Sequence, residues 1–214
     1  MMQPYYELVK VEDCIPISCF VHSTNEYKMH IHKEVEIILV VEGSINITIK
    51  DKKYLLREND FMLVNPGEVH STSRRAEKNI CLVFQLDPVH IENYFPLISN
   101  HVIDCKSFEY GEDEQERFDI IRKRLANIFQ ELNKKNLAYQ LKTVSEVLLL
   151  IRDLLHNFEY IILEDGEDYE SQDSILRLKR IIQYIDDNLD KGVTLEELAN
   201  SEDMSILSIL KLIQ

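Results

Sequence analysis

The stretch HIHKEVEIILVVEGSINITIK, residues 30–50, decides the fold of this chain. In its last part Ile45, Ile47 and Ile49 alternate with polar residues, which is the two-residue period of a strand with one buried face. The part before it, residues 35–41, is almost continuously apolar, as expected of a strand that is covered on both faces. The stretch therefore predicts two adjacent strands near the centre of a β domain.

Short strands and tight turns are predicted on both sides of this stretch. Pro66-Gly67 suits the middle of a type II turn, since proline presets φ and glycine tolerates a positive φ. Many short strands joined by turns favour a sandwich or barrel over a sheet built from βαβ units. Further strands are predicted at 18–23, 27–33, 53–56, 61–64, 69–73 and 79–86.

The pattern becomes helical from about residue 112. A first helix is indicated by apolar residues at spacings of three and four between Phe118 and Leu132, and a second over about 137–158. The second helix is apolar on two sides, so it needs a second partner: another copy of the chain, or a neighbouring element of the same chain. Its predicted dimer seam, at heptad spacing, is Leu141, Val144, Leu148, Ile151, Leu155 and Phe158.

Composition narrows the function classes. The chain has 24 Lys+Arg against 38 Asp+Glu, a net charge of −14, so no general positive field would hold it on phosphates. The longest apolar runs fall short of the roughly 20 residues of a membrane span, and no signal pattern opens the chain, so we expect no membrane partner and a cytoplasmic location. Four scattered cysteines, including Cys14, are expected to be reduced thiols.

One constellation could carry chemistry. His30 and His32 lie two residues apart and so share one face of a strand, Glu36 shares that face by parity if the chain stays extended, and His70 opens a later strand. Three imidazoles and a carboxylate suit Zn²⁺, Fe²⁺, Mn²⁺ or Ni²⁺, but they also suit hydrogen bonds to a small ligand or to water. By the same parity Ile38 and Val40 are expected to supply apolar walls to a pocket.

The spacing from His30 to Gly43 resembles the first cupin motif, and the segment from Asn59-Asp60 to His70 resembles the second. Thr24 stands where the first motif has its leading glycine, and the form PGEVH, residues 66–70, is one residue shorter than in cupin enzymes. The compact form is similar to the sensor domains of AraC-type transcription regulators. That resemblance implies an effector pocket without catalysis and a small effector such as a sugar, with a divalent metal in the barrel as an option and no cofactor required.

The C-terminal segment also resembles that family, at the opening of its helix-turn-helix domain. Thr194 is the predicted N-cap of a short helix with Glu197 as its capping-box partner, and 205–214 is the predicted recognition helix. This helix is nearly all apolar, so we expect DNA binding by the full-length regulator but weak or no DNA binding by this chain, which we expect to stop inside the domain. The DNA-facing candidates are Thr194, Ser205, Ser208 and Lys211.

The predicted fold class is α+β: a cupin-type, jelly-roll-like barrel, an antiparallel helical pair and a truncated helical DNA-binding segment. The expected divisions are 1–110 for the sensor barrel, 111–163 for the dimerisation helices, 164–174 for an acidic linker and 175–214 for the incomplete helix-turn-helix domain. The predicted function is an effector-responsive, homodimeric transcription regulator and not an enzyme. The alternatives are a metal-dependent cupin oxygenase or isomerase that uses the same four residues, and a sugar-binding module.

The other histidines carry no prediction of a site. His22, His90, His101 and His156 have no partner at ligand spacing, and each is expected to be a surface or hydrogen-bonded core residue. No phosphate loop, dinucleotide motif or nucleophile elbow is present in the sequence.

Overall fold

The structure is a computed structural model of the chain. The predicted linker 164–174 lies outside the residues that it describes, as does Cys14. The described residues are 4–7, 9, 15–96, 98–111, 114–163, 177, 180–181, 184–185, 187–188 and 191–213, with side chains described through residue 209.

Eleven strands lie within the described residues, and ten of them precede the helices. One sheet has the strand order β1-β3-β8-β5-β6, the second β2-β9-β4-β7, and β10 pairs with β11. The bounds are β1 Tyr5–Tyr6, β2 Ile17–His22, β3 Glu26–Ile31, β4 Val35–Glu42, β5 Ser44–Ile49, β6 Lys52–Arg57, β7 Phe61–Val64, β8 His70–Arg74, β9 Ile80–Leu86, β10 His101–Asp104 and β11 Glu159–Ile162.

The eight strands predicted from the sequence, β2 to β9, are confirmed within one or two residues at their ends, and the α+β class is confirmed with them. The expected barrel is not closed among the described residues. The two large sheets share no hydrogen-bonded strand pair among the described residues, so they form two separate sheets that enclose a common core. Gly67 has φ 77°, and Glu68 N donates to Asn65 O at 3.1 Å, which confirms the type II turn.

The two faces of β4 explain its unbroken apolar sequence. Ile38 and Val40 lie in a core cluster between the two sheets, together with Ile45 and Ile47 of β5. Ile37, on the opposite face, lies in a second cluster that continues into the helices. A strand in the middle of such a layered structure has no polar face, which is why its sequence does not alternate.

The predicted helical pair is present. Helix α1 spans Gln115–Lys134 and buries Phe118 and Ile121 completely, and helix α2 spans Tyr139–Asn157. Residues 135–138 join them, and the short connection turns the chain back so that α2 packs on α1. None of the helices among the described residues has the length and apolar character needed to cross a membrane.

Helix α2 does not present the predicted seam as one uniform face. Ile151 is 6% exposed and Phe158 lies inside the core of the same chain, whereas Leu141 is 75% exposed. The face of α2 that is fully buried in its own chain contains Val147, which lies between the seam positions. The heptad pattern therefore combines residues that pack internally with residues that remain accessible, and dimerisation through the accessible ones stays a prediction.

Three strands were not predicted, and two of them link the region expected to be helical to the region before it. The region 111–163 was expected to be helical, but β11 follows α2 directly and pairs antiparallel with β10, in a register that aligns Asp104 with Glu159. Tyr and Ile in β11 favour a strand, and pairing with β10 satisfies their backbone groups. The end of the helical region is thus hydrogen-bonded to the region before it.

The C-terminal segment contains two short helices among its described residues. Helix α3 spans Leu195–Ser201 and is opened by the predicted capping box between Thr194 and Glu197. Helix α4 spans Ile206–Ile213 and begins one residue later than predicted, because Ser205 Oγ accepts a hydrogen bond from Ser208 N at 3.1 Å and acts as a cap. A small core holds the segment together and contains Ile181, Leu198, Ala199 and Ile209.

Candidate metal- and ligand-binding site

Strands β3 and β8 bring the three histidines of the motif together. His30 and His70 are register partners across these strands, and their ring centroids are 4.0 Å apart. His32 follows the end of β3, with its ring centroid 5.0 Å from that of His70. All three side chains are 2% exposed or less, so they face the interior between the sheets.

Glu36 joins the histidines from the opposite sheet. The chain passes from the first sheet to the second between Ile31 and Val35, so the parity that suggested one continuous face for Glu36 is wrong, although the residue reaches the same interior. Its Oε2 lies 3.3 Å from His32 Nε2, and its Oε1 lies 3.3 Å from His70 Nε2. Two facing sheets thus supply one compact group of four side chains.

The imidazole rings are oriented by backbone carbonyls. His30 Nδ1 is 2.9 Å from Lys28 O, and His70 Nδ1 is 2.8 Å from Glu68 O. His32 Nδ1 is 3.2 Å from Glu34 O. A carbonyl can only accept, so each Nδ1 carries the hydrogen, and in a neutral ring the Nε2 lone pair is directed into the site.

These atoms fit a divalent metal ion. One ligand atom from each of His30, His32, Glu36 and His70 lies within 4.8 Å of every other. Nε2 of His32 and Nε2 of His70 are buried and have no hydrogen-bond partner in the described part of the chain, although Glu36 is close to both. A cation at the centre would satisfy these lone pairs, and a proton on His32 Nε2 would satisfy part of the same need.

The electrostatics favour an ionised Glu36 and a neutral His30. Burial alone would raise the pKa of Glu36, but its contacts with His32 and His70 outweigh burial and lower it. Burial lowers the pKa of His30 to about 4, and the neighbouring His70 acts in the same direction. For His32 burial lowers the pKa, but the carboxylates of Glu36 and Glu34 reverse the effect and raise it.

Comparisons with known proteins find a family that matches part of the β domain and a protein that is similar over most of the chain. Residues 20–84 match the family described as the AraC-like ligand binding domain. The chain is 20% identical over 203 residues to the uncharacterized HTH-type transcriptional regulator YdeC of Bacillus subtilis, a match that covers 89% of this chain and 68% of the relative.

Two solved structures are also similar to part of the chain. The DMSP lyase DddQ of Ruegeria pomeroyi matches with TM-score 0.31 and 19% identity, over 33% of this chain and 38% of that one. An RmlC-like cupin of Shewanella frigidimarina matches with TM-score 0.31 and 18% identity, over 33% of this chain and 66% of that one. The aligned parts are thus less than two thirds of either structure.

Residues 20–84 are therefore similar to an AraC-like ligand-binding domain. The resemblance read from the sequence is confirmed for this part of the chain, which contains all four residues of the buried cluster.

A cavity in the β domain adjoins this cluster. Ile38 lines it, as predicted, together with Ile45 and Val83. The expectation that Val40 forms a wall of the pocket is wrong. This residue is fully buried in the core between the sheets, but it does not line the cavity. The walls are therefore apolar where they lie away from the histidines, as is usual for a small-molecule site.

Sequence reasoning missed several residues of the ligand-binding domain's cavity. His22 was expected to be a surface or core residue, but it lines the cavity and its ring packs edge-on against Tyr27 at 5.8 Å. Gln85 Nε2 donates to Glu36 Oε2 at 3.0 Å, and Glu7 Oε2 lies 3.4 Å from His30 Nε2. Gln85 could have been noticed as a polar residue inside an otherwise apolar strand, whereas nothing in the local sequence singles out Glu7.

The remaining predicted site residues lie away from this cavity. Leu148 and Leu155 are half-buried on α2, and Thr194, Ser205 and Ser208 lie in the C-terminal segment. The backbone of Lys211 is in α4, and its side chain is outside the described set. Cys19, Cys81 and Cys105 are free thiols, as expected.

Proposed function

We propose that the chain is the sensing part of an effector-responsive transcription regulator, with the cavity beside His30, His32, Glu36 and His70 as the effector site. The observation that carries this proposal is the position of the buried cluster inside an AraC-like ligand-binding domain. The relationship to an HTH-type transcriptional regulator over most of the chain supports the regulatory role.

We further propose that the four residues hold a divalent metal ion. Neutral imidazoles and an ionised carboxylate are the protonation states that a metal site needs, and the ring orientations already point the Nε2 atoms inward. Such an ion would act as a Lewis acid that anchors an oxygen atom of the effector. Gln85 would orient Glu36 through its hydrogen bond, in the way that outer residues commonly orient metal ligands.

Strand β4 supports a route from the effector site to the helices. Glu36 and Ile38 face the cavity, whereas Ile37 on the other face belongs to the same core cluster as Phe118 of α1. A ligand that shifts β4 would therefore shift the surface on which α1 packs. The ligand can change the regulator's state only by its differential affinity for the two arrangements.

The expected division of the chain is retained as a proposal: a sensor over 1–110, dimerisation helices over 111–163, a linker over 164–174 and a DNA-binding start over 175–214. We propose a homodimer that uses the accessible part of α2, a small effector with sugars as one candidate class, and DNA as a partner of the regulator in the cytoplasm. The half-buried Leu148 and Leu155 and the exposed Leu141 support the dimer surface. DNA readout by this chain alone is expected to be weak, because α4 is nearly all apolar in sequence.

The rival proposal is a metal-dependent cupin enzyme. A set of three histidines and one glutamate around an adjoining cavity supports this class, because the set leaves room for a substrate on the ion. The two functions predict different behaviour of a bound small molecule. A sensor holds it unchanged and transmits its binding, whereas an enzyme converts it.

The test is a ligand screen followed by two measurements. Compounds that raise the melting temperature of zinc-loaded protein are identified first, and each is then incubated with the protein and analysed by mass spectrometry. Amide hydrogen exchange of α1 and α2 is measured with and without the compound. A sensor leaves the compound intact and changes exchange in the helices. Turnover of the compound, with exchange changed only around the cavity, would overturn the regulatory proposal.

A further inference from the structure

The carboxylate of Glu7 lies at the edge of the cavity, outside the four-residue cluster. Strand β1 pairs parallel with β3, with Tyr5 beside His30, and Glu7 N donates to Ile31 O at 2.9 Å. These backbone contacts direct the side chain of Glu7 to the cavity, where it is 20% exposed. Glu7 is thus brought to the cavity by a two-residue strand.

Three polar groups surround this carboxylate. Tyr27 Oη donates to Glu7 Oε1 at 2.6 Å, and Gln85 Nε2 lies 3.4 Å from Glu7 Oε2. His30 Nε2 is also 3.4 Å from Glu7 Oε2. The phenol of Tyr27 and the amide of Gln85 both donate to these oxygens and form a receptor for a carboxylate, because hydrogen bonds to an ionised acceptor are the strong ones. The neutral ring of His30 borders this receptor without donating to it, since its hydrogen is on Nδ1.

The same groups belong to the rest of the site. Gln85 Nε2 also donates to Glu36 Oε2, so one amide contacts both carboxylates. Burial and the hydrogen bond to Glu7 together raise the pKa of the Tyr27 hydroxyl. The receptor is therefore continuous with the cluster and with the apolar walls formed by Ile38 and Val83.

We propose that Tyr27 and Gln85 form a carboxylate subsite, that Glu7 occupies it as a tethered competitor, and that the effector is a small monocarboxylate with an apolar part. This inference rests on the proposed function, because it assigns the ligand class of the same cavity. The carboxylate of the effector takes the place of Glu7, and its apolar part lies against Ile38 and Val83. A divalent ion in the adjoining cluster would offset the added negative charge beside Glu36.

A tethered competitor reduces the apparent affinity by the fraction of molecules in which the subsite is free. If Glu7 is docked in about nine molecules of ten, its removal strengthens carboxylate binding about 10-fold. A neutral isostere of the ligand gains less, because it lacks the charge that strengthens the hydrogen bonds from Tyr27 and Gln85.

The test compares propionate with propionamide by isothermal titration calorimetry. Wild-type protein, Glu7→Ala and the control Glu26→Ala, which removes an exposed carboxylate from β3, are each titrated after zinc loading and after treatment with EDTA. We expect the propionate Kd of Glu7→Ala to be about 10-fold lower than that of wild type and of Glu26→Ala. In Glu7→Ala/Tyr27→Phe this gain should be lost.

Equal propionate Kd values in wild type and Glu7→Ala, no binding of propionate by Glu7→Ala, or equal affinity for propionamide would each overturn the proposal. The outcome for the carboxylate subsite can be distinguished from the outcome for the proposed regulatory role. Propionate binding with the expected ratios, but without a change of exchange in α1 and α2, would support the subsite and contradict the proposed function. The proposed function survives if Glu7→Ala has no effect while another ligand changes exchange in the helices.

Discussion

Arg124 on α1 holds two acidic side chains of α2, and its replacement by methionine should destabilise the helical pair. Its Nη1 lies 3.0 Å from Glu146 Oε2, and its Nε lies 3.0 Å from Asp153 Oδ2. Glu146 is 2% exposed and Asp153 is 3% exposed. In Arg124→Met, each of these two buried carboxylates therefore loses one ion pair. Removing one partner of a buried ion pair costs about 3–5 kcal/mol when the remaining charge is uncompensated.

Here the compensation is partial, which sets the magnitude. Glu146 keeps Lys142 at 2.7 Å, and Asp153 keeps Arg152 Nε at 2.9 Å. We therefore expect Arg124→Met to lower the free energy of unfolding by about 2–3 kcal/mol, below the uncompensated case. Urea denaturation followed by circular dichroism gives this value, with an unchanged m-value as the sign that only stability has changed.

A matched control is Lys142→Met. Lys142 contacts the same carboxylate, but its side chain is 54% exposed, so its contribution should stay below about 1 kcal/mol. A loss below about 1 kcal/mol in Arg124→Met, or one no larger than in Lys142→Met, would refute the reasoning.

The same cluster predicts the response to acid. Burial would raise the pKa of Glu146, but its bonds to Lys142, Arg124 and Asn127 outweigh burial and lower it below the ordinary value of 4.5. The unfolded state then binds more protons as the pH falls through 4.5, so the stability that Glu146 contributes is present above this pH and is lost below it. Glu146→Gln should flatten this decline, and an unchanged acid-side slope would contradict the assignment.

Three further predictions concern the site, the dimer and the C-terminal segment. Gln85→Leu should weaken Zn²⁺ binding about 10–100-fold in a chelator competition, because Glu36 loses its orienting donor, and an unchanged Kd would exclude that role. Leu148→Asp should give a monomer in light scattering, whereas Ile151→Asp should unfold the chain because Ile151 is in its core; a folded dimer of Leu148→Asp would show that the surface is wrong. Thr194→Ala should cost α3 about 1 kcal/mol by hydrogen exchange, and unchanged protection of its amides would count against the capping box.

The strands and the first helix were predictable because local periodicity reports burial directly. Ile45, Ile47 and Ile49 alternate because β5 buries one face, and Phe118 and Ile121 recur at helical spacing because α1 does the same. Such patterns arise between residues that are close together in sequence. Because these residues belong to the same strand or helix in the folded chain, the pattern predicts the element correctly.

The candidate site was predictable in its members but not in its construction. His30 and His32 share a side as strand parity requires, but Glu36 reaches them only because the chain crosses to the other sheet. Local parity carries no information about such a crossing. Glu7 could not be predicted at all, because its place depends on a parallel pairing of β1 with β3 that has no local signal.

The surface of α2 could also be predicted only in part. The sequence indicates that the helix is apolar on two sides, but it does not say which residues the chain covers by itself. Ile151 is covered by the chain's own core, and Leu141 is not. Only the packing of α2 on α1 and on the sheet separates these two cases.

The central claim is that His30, His32, Glu36 and His70 form one ligand-holding centre inside the ligand-binding domain. Calorimetric titration of EDTA-treated, untagged protein with Zn²⁺ tests it most directly, with His32→Ala as the comparison. The account predicts one ion per chain in wild type and at least a 100-fold weaker Kd in His32→Ala, since one of four ligands is lost. No binding by the wild-type protein, or equal binding by His32→Ala, would contradict it.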